Sequence, residues 1–150
     1  MTIETKRLLL CPLSARQMRL WLSDLPALER EWDCHYEGEP VEGTFRETVQ
    51  QQWKITSMDE RNYLFHSFWL LLRKADRTVV GAADFKAPPN ARGEVEIGYG
   101  LGGAHERRGY MTEAVDALCD WALQREDVES VLAETERKNR PSQNVLRRCR

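Results

Sequence analysis

Charged and apolar residues alternate from Ile3 up to the run Leu8-Leu9-Leu10, and Pro12 closes the segment; the pattern predicts a first strand over residues 3–13. Ser14 stands where an N-cap is needed for a helix from about Ala15 to Ser23, whose apolar face is Met18, Leu20, Trp21 and Leu22. Residues 26–43 carry no clean periodicity. From Thr44 onward, Phe45, Val49, Trp53 and Thr56 recur every three or four positions and predict a second helix. Leu64–Leu72 is too aromatic and apolar for a loop and reads as a central strand. The tight connection Ala75–Thr78 joins it to a hairpin partner, Val79–Phe85. Two consecutive prolines, Pro88 and Pro89, make the next segment a loop. Glu94–Tyr99 alternates strictly, with Glu94, Glu96 and Gly98 on one face and Val95, Ile97 and Tyr99 on the other. A long helix follows from about Gly109 to Gln124, with Met111, Ala114, Val115, Leu118, Cys119, Ala122 and Leu123 as its buried stripe. Ser130–Glu136 reads as a fifth strand, and Pro141 fits the first turn of a last helix. This order predicts a mixed α/β fold: a mostly antiparallel sheet flanked by helices, with no repeat or linker.

Composition narrows the function classes. With 150 residues the chain is expected to be a single domain over 1–150. Its 22 basic and 24 acidic residues leave a net charge of −2, which argues against a nucleic-acid partner. The longest apolar stretch, Phe68–Leu72, is far short of the roughly 20 residues that span a bilayer, so no membrane partner is expected either. The first residues hold no signal-peptide core, and the expected compartment is the cytoplasm. Cys11, Cys34, Cys119 and Cys149 form no Cys-x-x-Cys pair, and His35, His66 and His105 are scattered. Neither a disulfide framework nor a metal site is expected.

The chemistry concentrates in His105-Glu-Arg-Arg-Gly-Tyr-Met-Thr112, between the fourth strand and the long helix. A strand that turns through a glycine into a helix presents main-chain N–H groups at the positive end of the helix dipole, an arrangement suited to a pyrophosphate. Gly109 permits the turn and the close approach, and Arg107 and Arg108 add positive charge. An ordinary strand–helix junction with two solvated arginines would look the same in isolation.

The surrounding motifs change that weighting. Glu94-Val-Glu-Ile-Gly-Tyr-Gly-Leu101, followed by Arg108-Gly-Tyr-Met-Thr-Glu-Ala114, resembles the GNAT superfamily of acyl-CoA-dependent N-acetyltransferases. Asn139-Arg-Pro-Ser142 with Val145-Leu146 is similar to that family's Asn-x-x-Ser segment. The opening Ile3–Leu10 is similar to the branch that acetylates ribosomal-protein N-termini. The resemblance implies a GNAT-like fold and direct acetyl transfer from acetyl-CoA to a primary amine, such as a protein N-terminus, without a metal. It implies that the main chain of Arg107, Arg108, Gly109, Tyr110, Met111 and Thr112 holds the pyrophosphate. Tyr99, Gly100 and Leu101 would lie along the pantetheine arm and aim an N–H at the thioester oxygen. Asn139 would bond the arm, and Ser142 would sit near the sulfur. The amine must lose a proton before it attacks. Glu96 is the first choice for that base and Glu94 the second, because a period of two puts both on one face.

Departures from the family pattern leave an alternative open, an acyl-CoA-binding module with weak or no turnover. Glu106 puts a negative charge in the pyrophosphate loop, Met111 replaces a small residue at the helix start, and no tyrosine follows Tyr110 to protonate the leaving thiolate. The family continues into two further strands, whereas this sequence reaches Arg150; the fifth strand would then expose an edge that a second copy of the chain could cover. Eight acids (Asp24, Glu29, Glu31, Asp33, Glu37, Glu39, Glu42 and Glu47) are interleaved with Trp32, Tyr36 and Phe45, where the resemblance expects the acceptor wall. An acidic, aromatic wall attracts a cationic amine. Six basic residues (Arg137, Lys138, Arg140, Arg147, Arg148 and Arg150) suit the adenosine 3′-phosphate, an acidic partner or solvent.

Overall fold

A computed structural model describes residues 1–133 of the chain. The expected end of the fifth strand, the last helix, Asn139, Ser142 and the basic tail lie outside the described residues. The alternating start forms two strands rather than one. β1 (Ile3–Glu4) and β2 (Leu8–Pro12) pair antiparallel, with Ile3 opposite Leu10. Thr5 makes the turn, its amide donating to the Leu8 carbonyl at 2.9 Å. The helix expected at Ala15–Ser23 (α1) has those bounds. Ser14 and Gln17 form a reciprocal capping box that satisfies two end amides.

The stretch without periodicity holds α2 (Leu25–Trp32) and β3 (His35–Tyr36). Eight residues span little more than two turns, too few for an apolar stripe to declare itself. The end signals are nonetheless present: Asp24 accepts from the Ala27 amide, and Pro26 sits in the first turn. α3 (Gly43–Met58) follows. The central strand expected from Leu64 begins only at Phe68, because Tyr63–His66 forms a single helical turn, α4. The Trp69 indole donates to the Leu64 carbonyl at 3.1 Å, and Phe65 packs on Phe85 and Trp121. The aromatic content of this segment serves three-dimensional packing rather than a strand.

β4 (Phe68–Arg73), β5 (Thr78–Phe85), β6 (Glu94–Leu101), α5 (Tyr110–Leu123) and β7 (Ser130–Ala133) complete the described chain. The sheet runs β1-β2-β4-β5-β6-β7, with β3 against the start of β5. Pairing is antiparallel except for β6 with β7 and β3 with β5. No described helix is long and apolar enough to cross a membrane. α5 buries Tyr110, Met111, Ala114, Val115, Leu118, Cys119 and Ala122 against one face of the sheet. α1, α2 and α3 cover the other through Met18, Trp21, Leu28 and Val49.

β5 is buried on both faces along its whole length, so its alternation decides what each face contains. The register against β4 slips by one residue. Leu71 faces Gly81 and Leu72 faces Val79, which makes Val80 the extra residue of a bulge. Strict alternation from Val80 would carry Ala82 and Asp84 to the α5 side. The slip returns both to the side of α1–α3 and leaves Ala83 and Phe85 facing α5.

The β1–β2 hairpin is fastened to α5 by one carboxylate. Glu113, in the first turn of α5, accepts from the Thr5 hydroxyl, from the Arg7 amide at 2.8 Å and from Arg7 Nε at 2.7 Å. Burial opposes the Glu113 charge, but these donors outweigh it and hold the carboxyl below its usual range. A depressed folded-state pKa gives stability above the unfolded carboxylate pKa and loses it as pH falls through the folded value. Glu113→Gln should therefore cost about 2 kcal/mol near neutral pH, and the gap from wild type should narrow as acid protonates the native carboxylate. Urea titrations across that range measure it.

Candidate active site

The chain leaves β6 at Leu101, passes through a short 3-10 turn at Gly103–His105 and enters α5 through two left-handed residues, Arg107 (φ +63°) and Gly109 (φ +78°). Gly109 is the N-cap of a 14-residue helix and, having no side chain, leaves its first amides uncapped. Arg107 and Arg108 are exposed beside it. A third cation, missed in the sequence, completes the setting. The Arg7 guanidinium lies 4.4 Å over the Tyr110 ring and donates to the Arg108 carbonyl at 3.0 Å. Its Nη2 stands 3.3 Å from where a Cβ on Gly109 would be. No local signal marks Arg7, since a hundred residues separate it from the junction.

Tyr110 and Met111 turn their side chains into the core. Only their main chain is offered at the helix start, and Met111 does not crowd it. Glu106 is exposed. His105 is buried, and its Nε2 meets Glu37 Oε1 at 2.7 Å, tying this loop to the segment after β3. Arg73 donates to the Tyr110 hydroxyl at 3.2 Å, with the other His105 nitrogen 3.5 Å away.

On β6 the Lys86 amide donates to the Glu96 carbonyl, and the Gly102 amide donates to the Val80 carbonyl. Even-numbered residues of β6 thus direct their main-chain groups toward β5. Ile97, Tyr99 and Leu101 direct theirs to the opposite side, where the described part of β7 reaches Ile97.

The Glu94–Glu96–Gly98 face looks toward α3, as the alternation predicts. Beside it lies a pocket of about 250 Å3 between β5, β6, α3 and the segment after β3. Tyr36, Phe45 and Phe68 supply aromatic surface, and Trp21 packs edge-on against all three. Of the acids expected to wall an acceptor, Glu39 lines the pocket. Others are engaged elsewhere. Glu31 pairs with Arg16 at 2.8 Å, Glu29 accepts from the Tyr36 amide at 2.8 Å, and Glu37 holds His105. Trp32 packs into the core under α1.

The carboxyl that sequence reasoning missed is Asp84. It is 9 % exposed and lines the pocket opposite Gly98, and among the described residues no donor bonds its oxygens. Burial pushes it up to about 6; the nearby Lys86 charge opposes that rise and the Glu96 charge adds to it. The available signal was a lone acid in an otherwise apolar strand, Val79–Phe85. Asn139 and Ser142 lie outside the described residues; Glu96 and Tyr99–Leu101 lie on β6, and Arg107–Thr112 at its exit loop and the start of α5.

Comparison with known proteins gives a consistent set. The family described as acetyltransferase (GNAT) domain matches residues 7–150. The chain is 30 % identical over 144 residues to the uncharacterized N-acetyltransferase YjdG of Bacillus subtilis (strain 168), covering 89 % of this chain and 85 % of that protein. Among solved structures, a putative GNAT-family acetyltransferase from Bordetella pertussis superposes with TM-score 0.68 at 24 % identity, over 99 % of this chain and 87 % of its own. RimL, a ribosomal L7/L12 alpha-N-protein acetyltransferase in complex with coenzyme A, gives TM-score 0.69 at 16 % identity, over 99 % of this chain and 82 % of its own. At these identities the structural likeness concerns the fold.

The buried Asp84 has a direct consequence for stability. Its folded-state pKa of about 6 lies above the unfolded value near 4. Between them the folded protein retains a proton that the unfolded chain has released, so stability falls as pH rises through that window. Asp84→Asn removes this dependence. Its stability relative to wild type should climb by roughly 2–3 kcal/mol between pH ~4 and pH ~6, as read from denaturation midpoints at the two ends.

Proposed function

The chain belongs to the acetyltransferase (GNAT) family, and from that premise we propose that it transfers an acetyl group directly from acetyl-CoA to a primary amine. The observation that carries this reading is the uncapped start of α5 among Arg7, Arg107 and Arg108. Its residues fit a diphosphate. Gly109 places no Cβ in the way, the first amides of a long helix have no side-chain acceptor, and three guanidiniums supply the opposite charge.

Acetyl-CoA supplies the acetyl group as an activated thioester. The main chain of Arg107–Thr112 grips the diphosphate, and the pantetheine arm lies along the Tyr99–Leu101 side of β6 that faces away from β5. In that reading an N–H of this segment stabilises negative charge on the thioester oxygen. Asn139 and Ser142 keep the roles the sequence resemblance implies, a hydrogen bond to the arm and a contact near the sulfur. Glu96, on the face beside the pocket, takes part in removing the amine's proton.

A protein N-terminus is the acceptor we favour, on the likeness of Ile3–Leu10 to the branch that modifies such ends. The pocket beside β6 supports an amine acceptor, because its aromatic walls and carboxyls suit a cation on an apolar stem.

Calorimetry with coenzyme A, followed by thiol release from acetyl-CoA with a panel of amines and of Ala- and Ser-ended peptides, tests the proposal. The wild type should bind coenzyme A and release thiol with an amine. Gly109→Asp keeps a residue that tolerates left-handed φ but sets a carboxylate at the anion site, and should weaken coenzyme A binding by about thirtyfold or more, ~2 kcal/mol. Folded wild type that gives no heat with coenzyme A would end the reading.

A further inference from the structure

Two glycines on β6 each let a carboxylate oxygen pack close against the strand. A Cβ on Gly98 would fall 2.9 Å from Asp84 Oδ1, and one on Gly100 would fall 3.1 Å from Glu39 Oε1. The strand therefore presents a strip of the pocket whose surface is two carboxylates lying on glycine backbone, faced by Tyr36 and Phe45. Asp84 is the buried member and has no hydrogen-bond donor among the described residues. Such a carboxyl is destabilised as an ion unless a cation arrives. It lines the pocket with Gly98, its partner across the strands, and Gly100, whereas Glu96 is outside the pocket lining.

We propose that this strip receives the primary ammonium of the acceptor and that Asp84 directly takes its proton, with Glu96 passing that proton to solvent. This rests on the acetyl-transfer reading and names a proton acceptor within it. The ammonium loses one proton to an Asp84 oxygen, and the freed lone pair forms the C–N bond as the C–S bond breaks. The second nitrogen proton ends on the departing sulfur or in water, leaving an amide and a thiol. Asp84 then returns its proton to solvent by way of Glu96, whose carboxyl shares its face of the sheet.

The charged and titratable groups around Asp84 come from several elements. Lys86 stands just past the end of β5, with its Cε 3.3 Å from a Cβ placed on Gly98. Glu96 and Tyr99 lie on β6, and Tyr36 and Glu39 lie across the pocket. α3 contributes the uncharged Phe45, Thr48 and Gln52, and His66 at the foot of β4 is engaged with Asp59. Burial pushes both the Tyr36 phenol and the Glu39 carboxyl upward. Asp84 is thus the pocket group whose titration falls close below neutral.

The test is the pH profile of kcat/KM for thiol release, using the amine or peptide that the wild type turns over best, with coenzyme A affinity measured beside it. The wild type should show an acid limb near 6. Asp84→Asn should lose that limb and about a hundredfold or more in kcat/KM, with coenzyme A affinity unchanged. Glu96→Gln should keep the limb, shift it to lower pH and lose rate modestly. Gly98→Ala keeps the carboxyl but forces Asp84 Oδ1, 2.9 Å from the added Cβ, to shift; it should lower kcat/KM for the amine and leave coenzyme A affinity unchanged. An Asp84→Asn enzyme that retains limb and rate overturns the proposal while acetyl transfer stands. So does loss of the limb in Glu96→Gln alone, which would make Glu96 the direct base. Wild type that binds coenzyme A but acetylates no amine in the panel overturns the transfer reading, and the role of Asp84 with it.

Discussion

The architecture depends on a central strand with no solvent face. β5 is buried along both sides, so every residue in it is assigned to one of two cores, and the extra residue at Val80 decides the assignment for everything downstream. Without the slip, Ala82 and Asp84 would press into the α5 core, where a carboxylate has no exit. With it, small Ala82 lies under the aromatic cluster of Trp21, Phe45 and Phe68, and Asp84 reaches the floor of the pocket. The bulge therefore does more than bend a strand. It sets Ala83 and Phe85 against α5 and turns Ala82 and Asp84 to the pocket side.

The parts of this arrangement that were legible in the sequence are those whose signals are local. α1 is readable to its ends because Ser14 and Gln17 close a capping box just before an apolar stripe. β6 and α5 are readable because Glu94–Tyr99 alternates without exception and α5 repeats its stripe over nearly four turns. Gly109 is readable as a left-handed turn for the same reason. α2 is short and its pattern incomplete, and α4 is a single turn whose aromatic residues imitate a strand. The placement of Arg7 and Asp84 was missed for a different reason. Arg7 reaches the site by hairpin-to-helix packing, and Asp84 by a register slip that no period-two reading can anticipate.

Charge follows the same division. The acidic stretch between α1 and α3 looks in sequence like one uniform wall. In the fold, Glu31 fastens α2 to α1, Glu29 holds the β3 backbone, Glu37 grips His105, and only Glu39 turns to the pocket. Net charge in a segment says little about its function until hydrogen bonds have claimed their share. Asp84 is the reverse case, a single acid with no segmental pattern, kept at a cost to stability where a positively charged guest would relieve it.

The bond between Glu37 and His105 joins two places with separate duties. Glu37 follows the strand that carries Tyr36 into the pocket beside β6, and His105 belongs to the loop leading to the uncapped helix start. The contact fastens that loop to the pocket wall across 68 positions of sequence.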